Sequence, residues 1–472
     1  MSTYATPPRH SRRQFLAGAA AFAAMPALNL RGSAFAAPAE NLVQARLVAS
    51  AATVQIVPQK YPSTEVWAYG GSVPGPTLRL RQGERLRVEV ENQLPEGTTV
   101  HWHGVRVPNA MDGVPVITQP LIEPGGRFVY EFAPPDAGTF FYHPHQRGYE
   151  QMGRGLAGAL IVEEREPPPV DRDLIWVLGD FRLDADASIR GGFGNFMDVS
   201  HAGRIGNTVT INGRLPDTFA VRAGERIRLR LINAATARVF ALDFRGHRPW
   251  VIALDGQPVA PHEPARGIVV LGPAMRADLL LDLSAAPGSR HAVHDGFYRR
   301  LEYKLLELVY SDEPPLRARA ADPVRLPDNP LREPDLAGAE RHEVVFTGGM
   351  MGIMRGMRRG MAWAVNGASN GCGDGASAFD PLFIQRLGRS YLLNLVNDTA
   401  WHHPIHLHGH SFRVVSRNGK ANPRREWLDT VMLAPRESAE IALVADNPGD
   451  WMFHCHVLDH QAGGMMACIR VT

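Results

Sequence analysis

The sequence predicts an all-β protein made of three related β-sandwich domains. Three observations predict it. Glycine (46) and proline (37) are abundant among the 472 residues, helix-period apolar runs are scarce, and one strand-and-loop pattern occurs three times. Many turn formers between short apolar runs mark strands joined by tight turns. A chain this long exceeds one ordinary core, so several domains are expected. The composition, 44% hydrophobic and 21% charged, is that of a folded soluble protein. A net charge of +2 gives no footing for nucleic acid or an anionic membrane as partner.

Residues 1–36 stand outside this fold. "SRRQFLAGAAAFAAMPALNL" has a basic start and an apolar middle, and Ala34-Phe35-Ala36 follows as a cleavage site. That is the build of an export signal. Arg12-Arg13 followed by Gln14-Phe15-Leu16 is of the twin-arginine type, which makes the twin-arginine export machinery a partner and the periplasm the destination. Pro26 and Asn29 interrupt a run already too short to span a bilayer. No other segment is apolar enough, so no membrane span is expected in the mature chain.

Two stretches rich in proline and charge, 163–173 and 312–336, divide what remains. Neither suits a core strand or a long helix, so both read as linkers. They leave blocks at 40–165, 170–315 and 337–472.

The blocks repeat one another. "QGERLRVEVEN" (82–92), "AGERIRLRLIN" (223–233) and "LGRSYLLNLVN" (387–397) each place an asparagine (Asn92, Asn233, Asn397) nine residues after a glycine. Between them runs a strand. It alternates in the first two copies, with Leu86, Val88 and Val90, then Ile227, Leu229 and Leu231, predicted to face the core. About twelve residues later come Gly104, Gly246 and Gly409. Before that glycine the first block has His101 and His103 and the third has His406 and His408. The second has Asp243 and Arg245. The scaffold therefore does not itself require histidine there.

Four short windows hold most of the nineteen histidines, ten of them as candidate ligands: "HWHG" (His101, His103), "HPH" (His143, His145), "HPIHLHGH" (His403, His406, His408) and "HCHVLDH" (His454, His456, His460). In a strand, residues i and i+2 share a face, so each His-x-His pair presents two imidazoles to one place. Imidazole suits copper, zinc and iron. In an extended His454-Cys455-His456 the cysteine points the other way, so one segment can serve two metal centres. On its side lie His460, Met465 and a further histidine. Two imidazoles, a thiolate and a distant thioether are the donor set of a blue-copper electron-transfer site. "GTFFYHPHQ" in the first block aligns with "GDWMFHCHV" in the third, but carries Pro144 where the third has Cys455. Only the third block can build the thiolate site.

These four clusters resemble those of the multicopper oxidases, the family of laccases and bacterial copper oxidases. The likeness covers the mature chain and is nearest to the twin-arginine-exported bacterial group. That group includes manganese-oxidising enzymes of pseudomonads, and "HWHGVRVPNAMDGVP" and "VADNPGDWMFHCHVLDH" carry the likeness. The resemblance implies three cupredoxin-like Greek-key domains and four copper ions per chain. It implies a type 1 copper on His403, Cys455 and His460 with Met465 as axial ligand, and a type 2 copper on His101 and His406. It places a type 3 pair on His103, His143, His145, His408, His454 and His456. It further implies one-electron oxidation of a small reductant (a phenol, Cu(I) or Mn(II)), with electrons passing through Cys455 to a cluster that reduces O2 to water.

Plainer readings stand beside these. The histidines could merely pack, the chain could be a copper-free structural relative, or it could resemble a copper nitrite reductase, which normally has two domains. His402 and His410 read as loop or supporting residues, and Met466 as core. Asp112 in "AMDGVP" is either a turn residue or, by the resemblance, an acid aiding proton supply at the cluster. Gln461 stands where some relatives carry an acid, and an amide cannot supply a proton as an acid can. Met350, Met354, Met357 and Met361 in "GGMMGIMRGMRRGM" would share a helical face, as a Cu(I) site, a cover over the type 1 copper, or packing. A Cys372–Cys468 disulfide is permitted by the compartment.

Overall fold

The computed structural model describes residues 41–318, 322–350, 361–370 and 380–472. The expected export signal, most of the methionine-rich segment and Cys372 lie outside the described residues. Cys468 is buried. Among the described residues, no helix is long and apolar enough to cross a membrane.

Among the described residues the strands form six sheets, two in each of three consecutive stretches. Residues 42–163 supply two four-stranded sheets, residues 172–310 a six- and a five-stranded sheet, and residues 340–471 a seven- and a five-stranded sheet. Each stretch encloses its own apolar core: around Trp102 in the first, Leu229 and Leu279 in the second, Trp451 and Phe453 in the third. The repeated strand takes the same place each time. Arg85–Asn92 pairs parallel with Leu42–Val54, Arg226–Asn233 with Arg172–Phe181, and Ser390–Asn397 with Glu340–Gly348.

The repeated asparagine has a structural cause. Each is buried at the end of its strand and ties down the loop that follows. Asn92 Oδ1 accepts from Leu94 N–H while its amide donates to the carbonyls of Glu96 and Ile122. Asn233 does the same with Ala235, Arg238 and Leu271, and Asn397 with Thr399, Trp401 and Ala434. A buried amide that fills both halves of its hydrogen-bonding capacity is expensive to replace. The repeated glycine is equally constrained. Gly104 (φ +81°) and Gly409 (φ +67°) adopt a left-handed backbone, and a Cβ on Gly104 would lie 2.2 Å from Arg276 Nη2.

The middle block departs from the alternation read in its sequence. Ile227, Leu229 and Leu231 face the core, yet the arginines between them, Arg228 and Arg230, are buried too. Arg228 bridges Glu164 (2.7 and 2.8 Å) and Asp278 (2.7 Å), and Arg230 grips Asp173 (2.7 and 2.8 Å). Glu164 and Asp173 belong to the first expected linker. That segment is clamped in place, and its ends continue the strands Gly158–Glu163 and Arg172–Phe181. The second linker holds no strand among the described residues, but it is anchored as well. Leu326 is buried, and the Asn329 amide bonds to Ala137 and Gln257. Buried arginines need such carboxylates, since breaking a buried pair costs about 3–5 kcal/mol.

Candidate metal centres

Cys455 ends the strand Gly449–Cys455, and the chain then turns into the one-turn helix Leu458–Ala462, which carries His460 back beside the thiol. The neighbouring strand His403–Leu407 brings His403 alongside. Cys455 Sγ lies 3.5 Å from His403 Nδ1 and 3.7 Å from His460 Nδ1, and the two nitrogens are 3.1 Å apart. Both outer nitrogens are committed. His460 Nε2–H donates to the carbonyl of His201 (2.6 Å), a residue of the middle block. His403 Nε2–H donates to Thr399 Oγ1 (2.8 Å), whose own hydroxyl donates to Asn397 Oδ1. Both rings therefore offer Nδ1 as a lone pair. Met465 is buried beside them, its N–H donating to the His460 carbonyl and its carbonyl accepting from Cys455 N–H. Trp363 packs on both rings, at 4.3 Å from His460 and 5.0 Å from His403.

On the opposite side, eight buried imidazoles converge, four from the first block and four from the third. Strand pairing sets them: His101 lies opposite His143, and His406 opposite His454. Three groups form around shared points: His101 with His103 and His143, His101 with His406 and His408, and His145 with His408 and His454. His456 closes on His143, Nε2 to Nε2, at 3.3 Å. The two sides are joined through Cys455, whose carbonyl accepts from His454 Nδ1–H (2.9 Å). The Pro144 carbonyl does the same for His143 (3.0 Å).

Two carboxylates orient the cluster. The Asp112 carbonyl accepts from His101 Nδ1–H (2.8 Å) and its Oδ2 from His408 Nδ1–H (2.9 Å). Asp112, read as a turn residue or as an acid near the cluster, lies against His101 and His408. Asp429 is the second, and sequence reasoning missed it. Its carbonyl accepts from His406 Nδ1–H (2.9 Å), and its Oδ1 from His103 Nε2–H (3.2 Å). Burial alone would raise the Asp429 carboxyl, but the guanidinium of Arg276 overrides this and holds it far below the carboxylate range. No local pattern marks Asp429, because Arg276 lies 153 residues away. His201 was missed for the same reason, lying 259 residues from His460, whereas Thr399 stands only four residues before His403 and was overlooked.

These donors fit a soft, imidazole-binding cation. His403 and His460 turn lone pairs at each other across 3.1 Å, as do the Nε2 atoms of His408 and His454. Such pairs repel unless a cation lies between them. Nε2 of His101, His145 and His406 and Nδ1 of His103 and His456 are buried with no hydrogen-bond partner, which is costly for polar atoms left without a ligand. Burial also pushes the Cys455 thiol well up and the His460 imidazole down to about 3, so a thiolate forms there only against a positive charge.

The remaining site residues fall outside these groups. His410 is buried against Trp451 and donates to the His408 carbonyl, and His402 packs on Phe297. Met466 lies in a small apolar cluster with Val114 and Met452. Among the described residues, the Gln461 amide reaches only Met452 Sδ, at 3.9 Å.

Three β-sandwiches with an imidazole–thiol site in the third and a histidine cluster shared by the outer two define a metal-dependent redox protein. Multicopper oxidase family profiles match residues 50–167, 184–294 and 354–472. The chain is similar to multicopper oxidase MmcO of Mycobacterium tuberculosis, with 31% identity over 440 residues, covering 86% of this chain and 82% of that protein. It is similar to the crystal structure of a multicopper oxidase from Pseudomonas thermotolerans, with a TM-score of 0.83 and 36% identity over 91% of this chain and 99% of that one. It is also similar to the Campylobacter jejuni multicopper oxidase described as a metallo-oxidase, with a TM-score of 0.76 and 27% identity over 92% and 93% of the two chains. The chain belongs to the multicopper oxidase family. It is accordingly an oxidoreductase that uses O2 as acceptor and copper as cofactor.

Proposed function

We propose that this oxidase couples one-electron oxidation of a small reductant (a low-valent metal ion such as Cu(I) or Mn(II), or a phenol) to the reduction of O2 to water. The observation that carries the reading is Cys455 itself, with its sulfur against two imidazoles and its carbonyl on a histidine of the cluster. Four bound copper ions would supply one-electron carriers enough for the four-electron reduction of O2.

His403, Cys455 and His460 would hold the type 1 copper, with Met465 as a further weak donor. His101 and His406 would hold the type 2 copper. The type 3 pair would be held by His145, His408 and His454 on one side and by His103, His143 and His456 on the other. Asp112 Oδ1 is buried, without a hydrogen-bond partner, and 3.3 Å from His101 Nδ1. That oxygen would carry a proton at the cluster, a role the Gln461 amide cannot fill.

Among the described residues, the two imidazoles on the type 1 side are buried. Neither outer ring nitrogen is free, since the His201 carbonyl covers one and Thr399 the other. Electrons must then enter through the protein, which favours reductants that need no hydrogen bond to the ring. Low-valent metal ions meet that condition. Residues 1–36 would direct the protein through the twin-arginine export machinery to the periplasm.

The test is to load purified protein with copper, count it, and follow O2 uptake with a phenol, Cu(I) and Mn(II) in turn. About four coppers per chain and about four electrons taken per O2 are expected, with Cu(I) or Mn(II) the better donors. A protein that takes up no copper overturns the reading. A phenol oxidised far faster than either ion overturns the preference for metal ions.

A further inference from the structure

We propose that Arg276, from the block that carries none of the clustered histidines, is a positioning residue for the histidine cluster, acting through Asp429. The inference rests on the copper reading above. Arg276 is fully buried, and its Nη1 and Nη2 donate to the two carboxylate oxygens of Asp429 at 2.8 and 2.5 Å. Such a bidentate grip fixes the plane of a carboxylate as well as its distance. The backbone is held from the same block. Asp255 Oδ1 accepts from Arg276 N–H (2.9 Å), and Asp255 Oδ2 accepts from Thr430 N–H (3.1 Å). Asp429 and Thr430 are therefore gripped at side chain and main chain together.

What Asp429 then does is directional. In His101, His143, His406, His408 and His454 the Nδ1–H is tied, so Nε2 faces inward. His103 is reversed: its Nε2 lies 3.2 Å from both Asp429 Oδ1 and Thr430 Oγ1, whose own hydroxyl donates to Asp429 Oδ1, and Nδ1 is the buried nitrogen left without a partner. Asp429, together with the Thr430 hydroxyl it holds, thus sets which nitrogen His103 offers, and its carbonyl aims His406, whose ring stacks on His103 at 3.8 Å. The guanidinium reaches this point only because residue 104 is glycine.

Two comparisons separate this from an ordinary brace. Arg228 and Arg230 are equally buried and paired, yet their partners are Glu164, Asp173, Asp278 and Thr139, none of which bonds to a clustered histidine. Asp112 makes the matching bonds to His101 and His408, with no arginine or lysine bonded to it among the described residues. One acid of the cluster is locked and the other is not.

The test is Arg276→Lys and Asp429→Asn, with Arg228→Lys as a control, each loaded with copper beside the wild type. The readouts are copper per chain, the electron paramagnetic resonance of the non-blue Cu(II), the blue absorbance at Cys455 as internal reference, and the melting temperature. Lysine keeps the charge but loses the fork, and asparagine keeps the shape and the carbonyl but loses the charge. Both variants are expected to keep the blue band while the non-blue signal changes or about one copper per chain is lost. Arg228→Lys is expected to lower the melting temperature and leave the spectra alone. Wild-type non-blue spectra and copper counts in both test variants would overturn the proposal and leave Arg276 a brace. If Arg276→Lys does not fold, Asp429→Asn decides by the same criterion. A wild type that itself takes up no copper would instead bring down the copper reading, and this proposal with it.

Discussion

The first and third blocks turn the same hairpin toward the cluster, and only one of them does a second thing with it. His143-Pro144-His145 and His454-Cys455-His456 sit in matching registers, opposite His101 and His406. In each, the middle carbonyl accepts from the first imidazole, at 3.0 and 2.9 Å. The other face differs. Where the third block has His403, Cys455 and His460, the corresponding positions of the first hold Thr98, Pro144 and Tyr149. Paired imidazoles are thus a property of the shared frame, and the thiol centre is an addition of three side chains on the far side of one copy.

The largest expected effect tests whether the two hairpins are equivalent at the cluster. His143→Ala and His454→Ala should each lower copper-dependent O2 uptake by about 100-fold or more, as loss of a metal ligand does. His143→Ala should keep its blue band. If either variant retained near wild-type uptake, the equivalence would fail.

Asp112→Asn should have a smaller effect. The carbonyl bond to His101 survives, but the carboxylate between the hairpins becomes an amide that cannot exchange a proton. We expect kcat for O2 reduction to fall roughly 10–100-fold, more steeply as pH rises and protons become scarce. Anaerobic reduction of the blue band should be unchanged. An unaltered pH profile of kcat would count against a proton-carrying Asp112.

The smallest effect concerns the copper-free protein. Burial holds His103, His143, His145, His403, His406, His408, His454, His456 and His460 below the ordinary histidine value. As pH falls toward about 6.5, the unfolded chain gains protons that the folded chain does not. Stability is therefore kept above that pH and lost below it, by a few tenths of a kcal/mol per histidine between about pH 7.5 and 6.5. The melting temperature of the apoprotein should drop over that interval, and less in the copper-loaded protein. A flat apoprotein profile would mean that these rings are hydrated.

Much of this was legible in the sequence because it is local. Two-residue periodicity marked the strand around Val88, His-x-His marked paired imidazoles, and the threefold Gly-to-Asn spacing marked a repeat whose asparagines prove to tie loops. What escaped is non-local. Arg228 and Arg230 occupy positions an alternating strand would give to solvent, and only contact with a neighbouring block makes them buried. Asp429, Arg276 and His201 lie in stretches with no motif, and their roles come from bonds that span dozens to hundreds of residues. The middle block, read as lacking ligands, supplies the carbonyl on His460 and the guanidinium on Asp429.

The most direct measurement is the visible absorption spectrum of copper-loaded wild type beside Cys455→Ser, with copper counted in both. The account predicts an intense thiolate-to-Cu(II) band in the wild type. It predicts no such band in the variant, with about one copper fewer per chain and the cluster copper retained. A colourless wild type, or a blue band that survives without the Cys455 sulfur, would contradict it.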